Sequence, residues 1–351
     1  MEYRLALIGF GVVGQGLVEI LVNEKDSIKV LCDADLKVTA VSDIQKGSVY
    51  DPRGLDLNKI LDLVKATGSI HDYPGGIKGW DSLKTIRDSN ANVVIEVSVT
   101  NITTGEPALT HLRTAIEHRK HVVTTNKGPL SLACQELLNL AAKAGVELRF
   151  EGTVLSGTPA ITLAMRDLAW AHITGLRGIV NGTCNYVLTE MDKGLSYDTA
   201  LSQAQRLGYA EADPTADVEG LDSLAKILIL ANALLGGHLT RDQVLCEGIS
   251  KITQQDVAEA RAEGRRWKLI AAAKRRDDGS LEAYVRPEKL PLDDPLAVVA
   301  GVTNALTYET KYLDRVTIMG PGAGKVATGY AVLHDILDIH RTLSGQRLGS
   351  R

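Results

Sequence analysis

The densest grouping of chemically capable side chains is the segment GYAEADPTADVEGLDSLAKI, residues 208–227. Glu211, Asp213, Asp217, Glu219 and Asp222 put five carboxylates within twelve residues, directly ahead of a run, LAKILILANALL, that reads as an almost wholly buried helix. A solvated acidic loop is the usual explanation for such a run. Here it ends against an apolar helix carrying one lysine, Lys226, four residues after Asp222. That spacing sets the two side chains on one helical face. An unpaired ammonium inside an apolar segment is costly. Lys226 is therefore either one half of a structural salt bridge or a proton donor and acceptor in a reaction.

A second grouping is Gly9-Phe10-Gly11-Val12-Val13-Gly14, a G-x-G-x-x-G pattern placed between an apolar run and an expected helix. Gly9 permits the tight turn, Gly11 lets a pyrophosphate approach the backbone, and Gly14 lets helix and strand pack closely. The unpaired N–H groups of the helix N-terminus then face the anion. Asp43 ends the next strand, where a carboxylate accepts hydrogen bonds from ribose hydroxyls. The gap from Gly14 is longer than usual and is taken up by the polar stretch Asn23–Asp33. The guest implied is a nicotinamide dinucleotide. Asp43 leans toward NAD over NADP, with Lys46, Arg53 or Lys59 available to neutralise a 2′-phosphate. Two further segments converge on chemistry. Thr124-Thr125-Asn126-Lys127 closes a strand at the carboxyl edge, where open α/β sheets place ligands. Asn181-Gly182-Thr183-Cys184-Asn185-Tyr186 is rich in small hydrogen-bonding residues, suited either to lining a pocket or to capping a helix.

The elements that must position these residues follow from apolar periodicity. Strands are expected at Leu5–Ile8, Leu36–Ser42, Val93–Val97, His121–Thr124 and Glu147–Phe150, alternating with helices at Leu17–Val22 and Leu132–Lys143. That alternation is the pattern of a parallel, doubly wound sheet. Asp43 to Gly79 is a polar surface excursion with a helix near Leu57–Thr67. Beyond Glu151 the pattern changes. Helix is expected over Thr158–Ala171, a strand turning into a helix at IVNGTCNYVL, the apolar helix Ser223–Leu235, and a charged helix over Gln254–Ala273. Strands follow at Glu282–Leu290 and Thr317–Met319, and a closing helix at Lys325–Ile339. The fold class expected is α/β: a Rossmann-type parallel sheet over 1–150, an α+β catalytic and dimerisation domain over 151–319, and a C-terminal segment, 320–351, returning to the first domain.

Composition narrows the function class. The 351 residues carry a formal charge of −4 and only 15 aromatics, which excludes a broad polyanion-binding surface and stacking platforms for nucleic acid. Cys32, Cys134, Cys184 and Cys246 form no C-x-x-C pair, against a zinc ribbon or dithiol centre. The N-terminus lacks a basic leader region, and its apolar stretch is broken by glycines, Gln15 and Glu19. No run of about twenty apolar residues spans a membrane. A cytoplasmic protein is expected. His118-x-x-His121 has a spacing open to a metal, but Arg113, Arg119 and Lys120 beside it repel a cation, and a solvated helix end is the better reading. Lys274–Asp278 reads as a solvent-facing turn.

Taken together, GFGVVG, TTNKGPL, NGTCNY, GYAEADPTADVEGLDSLAKI and GPGAGKVATGYAV, in that order from residue 9 to 332, resemble the homoserine dehydrogenase family. The resemblance implies NAD(P)-dependent interconversion of L-homoserine and L-aspartate 4-semialdehyde, at a branch point of threonine and methionine synthesis, in a homodimer. By motif, Lys226 is similar to the family's acid–base residue and Lys127 to its second catalytic lysine near the nicotinamide. Glu211, Asp217, Asp222 and Thr183 match substrate-binding positions. Gly9, Phe10, Gly11, Val12, Val13, Gly14, Asp43, Thr100, Lys127, Gly208, Glu211, Gly322 and Gly324 match cofactor positions. Glu151, with the carbonyls of Val154, Ser156 and Thr158, aligns with the family's monovalent-cation (sodium) loop, although the wording here departs from the commoner E-A-T-V-G-A-G. No aspartate kinase module is expected ahead of the match, and about twenty residues after Tyr330 leave no room for an ACT domain. In the implied reaction the γ-hydroxyl of homoserine lies between Lys226 and the nicotinamide. The competing readings are another amino-acid-pathway NAD(P) dehydrogenase and a regulator that binds NAD(H) without turnover.

Overall fold

The apolar run at the N-terminus behaves as a strand buried on both faces: Leu5, Ala6, Leu7 and Ile8 have no exposure at all. The computed structural model describes residues 1–345 and divides into two compact units, Met1–Gly157 with Gly324 onward, and Thr158–Ala323.

The first unit runs β1 (Glu2–Ile8), α1 (Val12–Asn23), α2 (Lys25–Cys32), β2 (Asp35–Asp43), β3 (Gly47–Tyr50), α3 (Leu57–Thr67), β4 (Ile77–Lys78), α4 (Ser82–Asp88), β5 (Val93–Glu96), α5 (Ala108–Glu117), β6 (His121–Thr124), α6 (Lys127–Ala144) and β7 (Leu148–Arg149). Its seven-stranded sheet has the order β4-β3-β2-β1-β5-β6-β7. The strands from β2 to β7 pair in parallel, and β3 and β4 add an antiparallel edge. That edge comes from the excursion after Asp43, and the polar stretch after Asn23 is itself helical. Asp56 and Asp81 start α3 and α4 by accepting from the backbone N–H three residues on, and Gly68 ends α3 in the left-handed region.

The second unit runs α7 (Ala160–Met165), β8 (Ile173–Ile179), α8 (Gly182–Asp192), α9 (Tyr197–Arg206), α10 (Thr215–Val218), α11 (Leu221–Leu234), β9 (Leu245–Cys246), α12 (Gln254–Ala262), β10 (Arg265–Arg275), β11 (Leu281–Pro291), β12 (Thr303–Thr310) and β13 (Asp314–Pro321). The sheet order is β13-β12-β8-β10-β11-β9, antiparallel except where β9 joins β11. Ile179, Ile270, Leu290, Leu296, Val299 and Ala305 form a buried cluster in this unit.

Two expectations fail here. The charged helix expected over Gln254–Ala273 stops at Ala262, Gly264 turns in the left-handed region, and the rest is β10. Lys268 to Ala273 are all buried, so the strand shows a continuous apolar run rather than alternation, and its alanines mimic a helix. The helix expected over Thr158–Ala171 is one short helix, Ala160–Met165, and a single 3₁₀ turn at Ala169–Ala171.

The closing helix α13 (Lys325–Ser344) belongs to the first unit and lies against α1. Its approach depends on two glycines: a Cβ on Gly16 would overlap the Lys325 carbonyl, and one on Gly329 would come 2.6 Å from the Gly16 carbonyl carbon. Val332, Leu333, Ile336 and Ile339 of α13 join the core built on Tyr3, Leu5, Leu7 and Leu17. Among the described residues, no helix is long and apolar enough to cross a membrane.

Candidate active site

In the first unit, Gly9 has φ +97°, and a Cβ there would sit 2.5 Å from the Val97 carbonyl oxygen. A Cβ on Gly14 would meet the Gly9 carbonyl at 2.9 Å. Both glycines are therefore required by the turn and by the packing of α1 on the sheet. Gly11 is different. It is the residue before α1, no side chain caps the helix, and nothing lies within 4 Å of where its Cβ would be. Open space over uncapped N–H groups at a helix N-terminus is what a pyrophosphate needs. Phe10 is buried, Val12 is exposed, and Val13 packs against the unit's core.

Asp43 closes the loop from the side. Its carboxylate accepts from the backbone N–H of Phe10 (2.7 Å), Lys46 (2.8 Å) and Gln45 (2.9 Å). Burial raises the carboxyl pKa, but those three donors and the Lys46 charge outweigh it and hold the group below the usual carboxylate range. A fixed anion at the end of β2 suits the hydroxyls of a ribose. The exposed Ile44 follows it. Arg53 is engaged by Asp51 at 3.0 Å.

At the carboxyl edge of the sheet, Asn126 caps α6, accepting from Gly128 N–H and donating to the carbonyls of Ser98 and Val99. Lys127, the first residue of α6, is thereby held to the exit of β5, near which the exposed Thr100 lies. Glu96, fully buried at the end of β5, accepts from the hydroxyls of Ser98 and Thr124. Sequence reasoning missed it; its signal was a glutamate inside the apolar run VVIEV. His118 and His121 take separate partners, the Thr114 carbonyl and the Glu147 N–H, and the nearby His111 meets Glu96 through its Nδ1.

Glu151 is buried, and its N–H donates to Asp335 on α13 at 2.9 Å. Burial raises the Asp335 carboxyl pKa to about 6, the Glu151 charge adding to it and the neighbouring His334 opposing it. Val154 and Ser156 are buried in the same loop, Ser156 with φ +51° and its Oγ paired with Thr328 at 2.8 Å. Thr158 opens the second unit and donates to the Pro321 carbonyl. Among the described residues no three His, Cys, Asp or Glu side chains form a metal-holding group.

In the second unit the expected cluster is assembled. Lys226, 6% exposed on α11, donates to the Val180 carbonyl at 2.6 Å and pairs with Asp222 Oδ2 at 2.7 Å. Asn181, the N-cap of α8, donates its Nδ2 to both Asp217 (2.7 Å) and Asp222 (3.0 Å), so one amide ties the two carboxylates together. Burial pushes the Asp217 carboxyl upward, the Asp222 charge adds to that, and the Asn181 hydrogen bond opposes it. Thr183 donates to the Tyr209 carbonyl, and Cys184 to that of Asp217. Burial, with the acidic neighbours adding, pushes the Cys184 thiol well up, which leaves it inert. Asn181 caps α8, one of the two readings its segment allowed, but its hold on the two carboxylates was not anticipated.

Other expected residues lie elsewhere. Glu211 is on the exposed turn after α9, where its carbonyl accepts from Gln205; among the described residues no hydrogen bond or ion pair ties its carboxylate to Lys226, Asp217 or Asp222. Gly208 is on the same turn, with φ +75° and open space around it. Gly322 packs on Asn304 in the second unit, and Gly324 precedes α13 in the first.

Residues 9–151 match the family description homoserine dehydrogenase, NAD binding domain, and residues 159–337 match homoserine dehydrogenase. The chain belongs to the homoserine dehydrogenase family. It is 46% identical to an NAD(+)-dependent homoserine dehydrogenase of Pseudomonas canavaninivorans, over 97% of each chain. Its fold is similar to that of a homoserine dehydrogenase from Thiobacillus denitrificans (TM-score 0.85, 31% identity, 99% of this chain and 75% of that one). A hyperthermophilic archaeal homoserine dehydrogenase in complex with NADPH also matches (TM-score 0.84, 27% identity, 99% of this chain and all of that one). The protein is thus an oxidoreductase of this family, with a Rossmann-type unit for a nicotinamide dinucleotide and a second unit built on a mixed sheet.

Proposed function

We propose that the chain interconverts L-homoserine and L-aspartate 4-semialdehyde with Lys226 as the acid–base residue, and that it prefers NAD. The observation that carries this is the chain Lys226–Asp222–Asn181–Asp217, its lysine and amide buried and its carboxylates partly so, assembled inside one unit from α11, α10 and the start of α8. In oxidation the neutral amine form of Lys226 takes the proton of the γ-hydroxyl as the carbon–oxygen bond becomes a carbonyl, and leaves as the ammonium; in reduction the ammonium returns that proton to the aldehyde oxygen. The dinucleotide, when bound, supplies the hydride acceptor and donor. Asp222 orients Lys226, and Asp217 with Thr183 holds the polar end of the amino acid. Glu211, on its exposed turn, is assigned to the rim for both substrate and cofactor.

The first unit offers the cofactor the open face over Gly11, the loop Gly9–Gly14 and the carboxylate of Asp43, with Thr100 and Lys127 at the strand exits and Gly324 at the start of α13. Gly208 and Gly322 are the second unit's assigned cofactor positions. The preference for NAD rests on the charge at Asp43, which disfavours a 2′-phosphate, and on the NAD(+)-dependent relative. A monovalent cation such as sodium is assigned to Glu151 and the carbonyls of Val154, Ser156 and Thr158. The buried Asp335 supports it, since the Glu151 charge acts unfavourably on the Asp335 carboxylate and a cation would relieve that repulsion. A homodimer is expected, and light scattering on the purified protein tests it.

The deciding experiment follows nicotinamide absorbance with L-homoserine and NAD or NADP in parallel, with Lys226→Ala as control. Homoserine-dependent reduction, faster with NAD and lost in the variant, is expected. Cofactor binding without homoserine turnover would overturn the substrate assignment. Exchange of sodium for choline, with loss of turnover expected, tests the cation.

A further inference from the structure

Asn304 lies on β12 opposite Gly320 of β13, and its side chain has no exposure. Neither its Nδ2 nor its Oδ1 has a hydrogen-bond partner among the described residues. A buried amide with both groups unspent is costly, and a fold governed by stability alone would place a leucine there. The amide is held between two glycines of the same unit. A Cβ on Gly322 would overlap it, and a Cβ on Gly182 would come 3.4 Å from its Oδ1 and 2.8 Å from the Val302 carbonyl. Gly182 is the first residue of α8, between Asn181, which ties Asp217 to Asp222, and Thr183. The amide is therefore one residue away from the group that organises the carboxylates.

We propose that Asn304 is a positioning residue for the substrate-binding cluster: wedged between Gly182 and Gly322, its amide fixes the first turn of α8 in the placement that brings Asn181 to Asp217 and Asp222. Its unspent donor and acceptor are used by the backbone of these two glycine-bearing segments when substrate is bound, so the stability lost in the free protein returns as substrate affinity. Violations of local folding rules concentrate at functional sites for this reason. The inference rests on the assignment of this cluster to homoserine.

The test compares wild type, Asn304→Leu and Asn304→Ala. Leucine keeps the branched shape and removes the polar atoms. Expected are a Tm at or above wild type for Asn304→Leu, a KM for homoserine raised about tenfold or more, and a KM for NAD within about twofold, a tenfold change being about 1.4 kcal/mol. Asn304→Ala should raise the same KM and also lower Tm, through the cavity it leaves. A merely structural amide predicts a different split: fewer folded molecules lower kcat at constant KM. Wild-type kinetic constants in a folded Asn304→Leu protein would overturn the proposal. If that variant does not fold, Asn304→Val, which also removes both polar groups and suits a strand, replaces it under the same criterion. Absence of homoserine turnover or binding in the wild type would instead overturn the substrate assignment.

Discussion

Replacing Lys226 by alanine has two consequences that a second substitution separates. The ammonium sits 2.7 Å from Asp222 and 2.6 Å from the Val180 carbonyl, with the side chains of the pair 8% and 13% exposed, so solvent screens the interaction little. Removing the cation leaves Asp222 and Asp217 sharing one amide, Asn181, with no lysine to balance them. Breaking a buried pair in this way costs about 3–5 kcal/mol. Loss of a general acid–base group lowers turnover by about 10²–10⁴. The stability loss should shrink as pH falls, because burial already raises the Asp217 carboxyl pKa and its protonation removes part of the uncompensated charge. The double variant Lys226→Met with Asp222→Asn keeps the side-chain length and removes both charges. It should recover most of the stability in denaturant unfolding and none of the turnover. Turnover recovering with stability, or Lys226→Ala retaining activity within about tenfold of wild type, would refute the acid–base role and leave Lys226 a structural ion.

The glycine loop yields a contrast. Gly9→Ala, at φ +97° with a 2.5 Å approach to Val97, should cost upward of about 1–2 kcal/mol in thermal or denaturant unfolding, whereas Gly11→Ala, in open space, should leave Tm unchanged and weaken NAD binding about tenfold or more by titration calorimetry. Asp43→Asn should lower kcat/KM with NAD and raise it with NADP. Since Asp43 stays ionised below the usual carboxylate range, the wild-type preference should hold flat across neutral pH. Lys268, buried on β10 and donating to Asn185 Oδ1 and the Val299 carbonyl, has its pKa lowered to about 8 by desolvation. Between about 8 and its ordinary value the unfolded chain binds the extra proton, so stability gains with rising pH over that window, by up to roughly 3 kcal/mol. Unfolding of Lys268→Met across the same window should lack that gain relative to wild type.

The nucleotide-binding half was legible because its signals are local. A buried parallel strand is a short apolar run, Leu5–Ile8 or Val93–Val97, and the turn after β1 demands glycine at a position a side chain cannot enter. The edge strands β3 and β4 gave no such signal, being too short to show a period. In the second unit β10 was read as helix because alanines buried on both faces carry neither period. Part of the site was equally local: i, i+4 spacing joined Asp222 to Lys226 before any tertiary contact was known, and the structure keeps that pair. Glu211, matched by resemblance and not by spacing, lies on the exposed turn after α9, outside the ion-paired cluster.

What remained hidden was which partners the uncharged amides take. Asn181 holds two carboxylates that approach it from positions 36 and 41 residues later, and Lys268 meets an amide 83 residues away. Such contacts have no periodicity, because an asparagine is as common in a turn as in a network. Asn304 is the extreme case. Nothing in the sequence singled out Asn304, yet the fold places it at 0% exposure on β12, with no hydrogen-bond partner for its amide among the described residues. Charge and glycine are costly in the wrong place and so announce themselves in one dimension. A neutral amide becomes costly only once its neighbours in space are known, which is why the positioning role proposed for Asn304 emerges from the fold, whereas the chemistry proposed for Lys226 was suggested by the sequence.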